Sequence, residues 1–105
     1  MPKLTVTVIT RNEAANIEAA LASAAWADEI VVVDSNSTDD TVAIARQHGA
    51  RVEARAFSGY GAQKNYAASI ASHDWILSLD ADERIGADLG VEIRQLLASE
   101  PGKRG

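Results

Sequence analysis

The chain has 105 residues, of which 47% are hydrophobic and 24% are charged, and it contains no cysteine. This balance is that of one globular domain rather than a disordered chain, and without cysteine neither disulfides nor thiolate sites can form. The net charge of −5 argues against non-specific nucleic-acid binding, which depends on patches of Lys and Arg. The start lacks a secretory pattern and no apolar run approaches a membrane span, so we expect a cytoplasmic domain over 1–105.

Strand-like and helix-like patterns alternate four times along the chain. Runs rich in β-branched residues predict strands over 4–10, 29–34, 51–55 and 74–80. Helical spacing predicts a first helix that begins at a capping box of Thr10 and Glu13, and further helices over 38–48, 62–72 and 88–99. Ser37 is the predicted N-cap of the second helix, and Gly49 is its predicted stop. The last five residues, 101–105, are predicted to form a tail rich in helix breakers.

This alternation, with short connections, predicts an α/β fold. Right-handed crossovers would give an open, mostly parallel sheet of about four strands with helices on both faces. Ligands of such sheets bind beyond the carboxyl ends of the strands. Polar residues follow three of the predicted strand ends, at 10–13, 34–40 and 80–83, so these segments are the candidate site.

Two aspartates frame the end of the fourth predicted strand. Asp80 and Asp82 are two positions apart, so both can face one pocket with the small Ala81 between them. Mg²⁺ and Mn²⁺ prefer oxygen ligands, and Mg²⁺ is often held by one or two carboxylates and by substrate phosphates. A solvated strand end is the alternative for an isolated Asp-x-Asp, but the position at a strand end favours a metal site.

Four segments in this order, "VITRNEAANIEAAL", "DEIVVVDSNSTDDTVAIA", "GYGAQKNYA" and "DWILSLDADER", resemble one family. They look like the nucleotide-binding half of family 2 glycosyltransferases, which have the GT-A fold. The sequences of these segments are most similar to the bacterial subgroup that adds sugars to the lipopolysaccharide core. The resemblance covers about residues 4–98.

The resemblance implies a nucleotide site at the first two strand ends. By position, it assigns the base pocket to Thr10, Arg11, Asn12 and Glu13. It assigns to Asp34 a hydrogen bond with the uracil of a UDP-sugar, and to Ser35 a part in shaping the following turn. Asp34 could instead be a plain strand-end acid. Tyr60, in a loop flanked by glycines, is a further candidate contact.

The resemblance also implies a diphosphate and metal site. Asp80 would contact the ribose or the metal shell, and Asp82 would ligate the Mg²⁺ or Mn²⁺ that neutralises the leaving diphosphate. Lys64 would lie near the nucleotide, although a solvated position on the third helix is an equal alternative. The two histidines, His48 and His73, have no partner at ligand spacing and are interpreted as structural.

The implied reaction is transfer of a sugar from a nucleotide-diphosphate sugar, expected to be UDP-linked, to a glycan or lipid-linked acceptor such as lipopolysaccharide core. It would be metal-dependent and inverting in the complete enzyme. No residue matches the family's general base, so no catalytic residue is assigned; we expect the acceptor-binding half to be absent and this chain alone to be inactive. Two further partners stay open: the inner face of the membrane for the complete enzyme, and a second copy of this chain.

Other functions remain alternatives. A non-catalytic nucleotide-binding module or a truncated remnant would have the same fold without turnover. A signalling receiver or an aspartate phosphatase fits poorly, because both need acids after the first strand, where this chain has Thr10, Arg11 and Asn12.

Overall fold

Strands and helices alternate along residues 2–99, the part of the chain that the computed structural model describes. The elements are β1 (Leu4–Thr10), α1 (Ala14–Ser23), β2 (Glu29–Asp34), α2 (Thr41–Gln47), β3 (Arg51–Ala54), α3 (Tyr60–Ile70), β4 (Trp75–Asp80) and α4 (Ala87–Ser99). Every predicted strand and helix is present, with shifts at several of their ends, and the predicted tail over 101–105 lies outside the described residues. None of the helices within 2–99 has both the length and the apolar character needed to cross a bilayer.

The four strands form one sheet in the order β3-β2-β1-β4, and every pairing is parallel. β1 is central: Val8 is in register with Val32 of β2 on one side and with Leu79 of β4 on the other. The chain runs outward from β1 through β2 to β3 and then returns to the opposite side of β1. The direction of winding therefore changes between β1 and β4, the position where parallel sheets open a ligand crevice.

Both faces of the sheet are covered by helices, as the sequence predicted. On one face, Val6 and Val8 belong to a core that includes Ile17 and Leu21 of α1 and Leu97 of α4. On the other face, Val31 and Val33 pack with Ala67 of α3. The run of consecutive valines in β2 is thus buried on both sides, which is why it shows no polar alternation. β4 is an edge strand and is less covered, with Trp75 37% and Ile76 39% exposed.

The predicted capping box at α1 is wrong. Thr10 is the last residue of β1, and its hydroxyl donates to Asp34 instead of capping a helix. The helix begins at Ala14, and the amides at its start are satisfied by side chains at the start of the neighbouring helix α2. The amide of Glu13 donates to the Thr41 hydroxyl oxygen at 2.8 Å, and the amide of Ala14 donates to the Asp39 carboxylate at 3.1 Å.

The predicted start of α2 is also wrong. The helix begins at Thr41 with Asp40 as its N-cap residue, whereas Ser37 is engaged in the preceding turn. α3 begins at Tyr60, two residues earlier than predicted. The predicted stop at Gly49 is confirmed: it follows the C-cap His48 with φ +81°, a left-handed conformation that favours glycine.

Glu29 ties the start of β2 to the segment after α3. Its Oε1 accepts hydrogen bonds from the Thr5 hydroxyl and the Ser72 amide, both at 2.8 Å, and its Oε2 accepts one from the Ser72 hydroxyl at 2.8 Å. Partial burial raises the pKa of the Glu29 carboxyl. The hydrogen bonds from Ser72 and Thr5, with a smaller effect of the charge on His73, outweigh the burial and hold the pKa below its usual value.

We therefore expect Glu29→Gln to destabilise the fold at neutral pH and to matter less in acid. Because the pKa is lowered in the folded state, the ionised carboxylate stabilises the protein above the unfolded-state pKa. That stabilisation is lost as the pH falls through the folded-state pKa. Urea unfolding of wild type and variant at pH 7 and near pH 3 measures both effects. Glu92→Gln, at an exposed position on α4, is the matched control. A gap between wild type and variant that widens in acid would contradict this account.

Candidate functional site

The turns that follow β1 and β2 are held together by side chains. Asn12 adopts φ +53°, a left-handed conformation that asparagine tolerates better than most residues. Its backbone amide donates to the Ser37 hydroxyl oxygen at 2.7 Å, and its side-chain oxygen accepts from the Thr38 amide at 2.8 Å. Asn12 therefore fixes the first turn against the second.

Asp34 lies at the centre of this arrangement. It is 2% exposed. Its Oδ1 accepts from the hydroxyls of Thr10 and Ser37, both at 2.6 Å, and its Oδ2 accepts from the Ser37 amide at 2.8 Å. A buried carboxylate is tolerated only with such compensation. The arrangement makes Asp34 the common acceptor for one strand end and for the turn after the next strand.

Asp39 serves the start of both neighbouring helices. One oxygen accepts from the amide of Ala14 in α1, and the other accepts from the amide of Thr41 in α2 at 3.0 Å and from the Thr41 hydroxyl. The hydrogen bond from the Thr41 hydroxyl is the largest of the effects that lower the pKa of Asp39, and together they outweigh desolvation. Asp39 thus places a negative charge at the N-terminal ends of both helices, where the helix dipole favours it.

An open cavity of about 280 Å³ lies beyond the carboxyl ends of β1 and β2. Its volume is near the lower end of the usual range for small-molecule sites, about 300–1,000 Å³. One part of its wall is polar and the other is aromatic. The lining residues are Ile9, Thr10, Arg11, Glu13, Ser35, Phe57 and Tyr60.

The aromatic part of the wall comes from the loop before α3 and the first residue of that helix. The rings of Phe57 and Tyr60 meet edge to face with their centroids 5.2 Å apart. They are 48% and 73% exposed, so neither belongs to the core. Two exposed rings at the mouth of a polar cavity can offer a flat surface to a ring-shaped ligand.

Four of the predicted site residues line this cavity: Thr10, Arg11, Glu13 and Ser35. Asn12 and Asp34 are not in the lining and lie in the hydrogen-bonded turns beside it. Lys64 is exposed on α3, outside the lining. The roles of these residues in nucleotide binding stay predictions.

Sequence reasoning missed Phe57, although an aromatic residue in a predicted polar loop was a usable signal. It treated Tyr60 only as a candidate contact. It also missed Gln63, whose side chain is fully buried behind Ser35. The sequence offered no signal for that contact, because Gln63 was predicted on a helix of mixed polarity.

Asp80, the last residue of β4, and Asp82, in the turn that follows, lie next to the strand end that lines the cavity. Asp80 is in register with Ile9, which lines the cavity. Ala81 points into the core and is 4% exposed, whereas Asp80 and Asp82 are exposed on either side of it in the chain. Glu83 closes the turn: its carboxylate accepts from the Asp80 amide and its own amide donates to the Asp80 carbonyl, both at 2.9 Å.

The donor set at this turn suits a hard cation. Within residues 2–99, neither the Asp80 nor the Asp82 carboxylate accepts a hydrogen bond or forms an ion pair with a side chain. The same residues contain no group of three or more acidic, histidine or cysteine side chains that could hold a metal alone. Two uncommitted carboxylates fit a Mg²⁺ or Mn²⁺ ion whose remaining ligands come from phosphate and water.

The family match and two relatives found by comparison with known proteins are all glycosyltransferases by name. The family described as Glycosyl transferase family 2 matches residues 5–92. An uncharacterized glycosyltransferase of Rickettsia felis is 49% identical over 94% of this chain and 35% of its own length. The lipopolysaccharide core biosynthesis glycosyltransferase LpsC of Rhizobium meliloti is 34% identical over 94% of this chain and 39% of its own length.

The fold is shared with a solved enzyme. Glucosyl-3-phosphoglycerate synthase from Mycobacterium tuberculosis, in complex with Mn²⁺, UDP and phosphoglyceric acid, superposes with a TM-score of 0.74 at 29% identity, over 94% of this chain and 40% of that one. The chain thus spans between about a third and two fifths of the length of these relatives. Since the family match covers most of the chain, this protein belongs to glycosyl transferase family 2.

Proposed function

We propose that residues 2–99 form the donor-binding half of a glycosyltransferase that uses a nucleotide-diphosphate sugar, with UDP as the nucleotide. The observation that carries the proposal is the cavity beyond β1 and β2, with a polar wall, an aromatic wall and two uncommitted aspartates beside it. A UDP-sugar has a flat base, hydroxyl groups and a charged diphosphate, which call for these three kinds of surface. UDP in complex with a protein of the same fold supports the choice of nucleotide.

Different parts of the cavity wall would bind different parts of the nucleotide. The rings of Phe57 and Tyr60 offer a stacking surface, and stacking of a base on an aromatic side chain is worth about 1–3 kcal/mol. Arg11, exposed in the turn after β1, supplies local positive charge for an anionic ligand in a chain of net charge −5. Ser35 and Thr10 contribute hydroxyl groups at the base of the cavity, while Asp34 holds the turn that carries Ser35.

Asp80 and Asp82 would hold a Mg²⁺ or Mn²⁺ ion together with the diphosphate. Bound there, the ion would neutralise charge on the leaving diphosphate. The protein's own contribution is to supply two carboxylates on a short turn whose backbone is fixed by Glu83. A bound cation would balance the charge of the phosphates in a chain whose net charge is −5.

The complete reaction needs groups outside this half. In an inverting transfer, a general base within hydrogen-bond reach must deprotonate the acceptor hydroxyl. We assign that base, and the acceptor site, to the part of the relatives' length that this chain does not span. The similarity to LpsC supports lipopolysaccharide core as the acceptor. We propose in addition that the complete enzyme acts at the inner face of the membrane.

We expect UDP to raise the melting temperature of this chain when Mn²⁺ or Mg²⁺ is present. A ligand that binds only the folded state stabilises it by about 2.7 kcal/mol at a hundredfold excess over its dissociation constant. Thermal unfolding followed by circular dichroism, with UDP, ADP or GDP and with or without metal, measures the shift. A chain that is folded by circular dichroism, yet shows no shift with any of these nucleotides, would refute the donor site.

We expect Asp82→Asn to weaken UDP binding in the presence of Mn²⁺ and to leave the metal-free affinity nearly unchanged. The amide keeps the size of the side chain but removes the charge that attracts the cation. Titration calorimetry with UDP, with Mn²⁺ and with EDTA, separates the two conditions. Asp88→Asn, in the first turn of α4, is the control for a general change in charge. If Asp82→Asn weakens binding equally in EDTA, Asp82 is not a metal ligand.

A further inference from the structure

Gln63 is a fully buried polar side chain on α3 that contacts Ser35, one of the residues lining the cavity. Its amide nitrogen donates to the Ser35 hydroxyl oxygen at 3.0 Å and to the backbone carbonyl of Arg55 at 3.3 Å. Its amide oxygen is buried and has no hydrogen-bond partner within residues 2–99. Of these partners, only Ser35 lines the cavity.

The carbonyl of Arg55 determines which way round the Gln63 amide lies. A backbone carbonyl can only accept hydrogen bonds, so it requires the nitrogen of the amide and not the oxygen. With the opposite orientation, the amide oxygen would face the Arg55 carbonyl oxygen. The second hydrogen of the same nitrogen is then directed at Ser35, so Gln63 donates to the Ser35 hydroxyl and does not accept from it.

This direction decides what the Ser35 hydroxyl can offer a ligand. A serine hydroxyl has one hydrogen and two acceptor lone pairs. One lone pair of Ser35 receives the hydrogen from Gln63, and the Ser35 hydrogen has no acceptor among the described residues. The backbone is held independently, because the Ser35 amide donates to the Thr10 carbonyl at 2.9 Å. Ser35 is 3% exposed, and it is one of the residues that line the cavity.

We propose that Gln63 is a positioning residue that makes Ser35 a hydrogen-bond donor to an oxygen atom of the bound nucleotide. The proposal rests on the donor-binding function of the cavity. The oxygen belongs either to the nucleoside, as a ring carbonyl or ribose hydroxyl, or to the phosphates. Both are acceptors, and titration with uridine beside UDP distinguishes them.

If Gln63 served only to pack the core, replacing it with an apolar side chain of similar size would leave the UDP affinity unchanged. The unpaired buried oxygen costs stability, so the amide is a poor choice for packing alone. Methionine has a similar length and removes both the donor and the unpaired acceptor. Gln63→Met also removes the donor to the Arg55 carbonyl, so the melting temperature of the free protein is measured beside the UDP affinity. An effect on UDP binding that passes through Ser35 disappears in the Ser35→Ala background.

The test is a double-mutant cycle in which UDP affinity is measured by calorimetry in the presence of Mn²⁺. We expect Ser35→Ala and Gln63→Met each to weaken UDP binding by about 2- to 10-fold, the loss of one hydrogen bond. The double variant should bind UDP no more weakly than Ser35→Ala alone. Gln95→Met, at an exposed position on α4, is the matched control and should bind as wild type does. Should Gln63→Met fold poorly, Gln63→Leu serves the same purpose.

The outcomes are separable. A loss in Gln63→Met that persists undiminished in the Ser35→Ala background overturns the positioning role, and so does unchanged UDP affinity in Gln63→Met. If the effect of Ser35→Ala is also present with uridine, the acceptor is a nucleoside oxygen; if it is present only with UDP, it is a phosphate oxygen. Failure of the wild-type chain to bind UDP at all refutes the proposed function, and this inference with it.

Discussion

The geometry of the candidate site depends on one buried carboxylate. Asp34 accepts three hydrogen bonds from Thr10 and Ser37, and without them it would be a buried charge with no compensation. Ser37 also accepts from the amide of Asn12, so the same interaction reaches the turn after β1. The positions of Arg11, Glu13 and Ser35 in the cavity wall follow from this arrangement. We therefore see Asp34 as the residue that holds the two turns of the candidate site in place.

The fold was predictable because its signals are local. β-Branched runs mark β1 and β2, and the four alternations of strand and helix leave few topologies other than a parallel sheet. The start of α1 was not predictable, because the groups that satisfy the amides at its start come from far along the chain. Asp39 accepts from the amide of Ala14, 25 residues away, so a search for a cap within three or four positions of the helix start could not find it.

The same distinction applies to the site. Thr10, Arg11, Glu13 and Ser35 were identifiable because the carboxyl ends of neighbouring parallel strands must lie together. Gln63 was not identifiable from the sequence. Its role depends on the carbonyl of Arg55 and the hydroxyl of Ser35, which contact it only in the folded state. The sequence thus predicts which strand ends form a site, while the direction of each hydrogen bond within it needs the packed structure.

The position of β1 in the sheet has a consequence for how the chain can fold during synthesis. β1 is made first and becomes a central strand; β2 and β3 then add in turn on one side, and β4 adds on the other. Each new strand therefore joins at a free edge, and none has to insert between two strands that are already paired. A growing polypeptide emerges from its N-terminal end, so the sheet can assemble in the order in which its strands leave the ribosome.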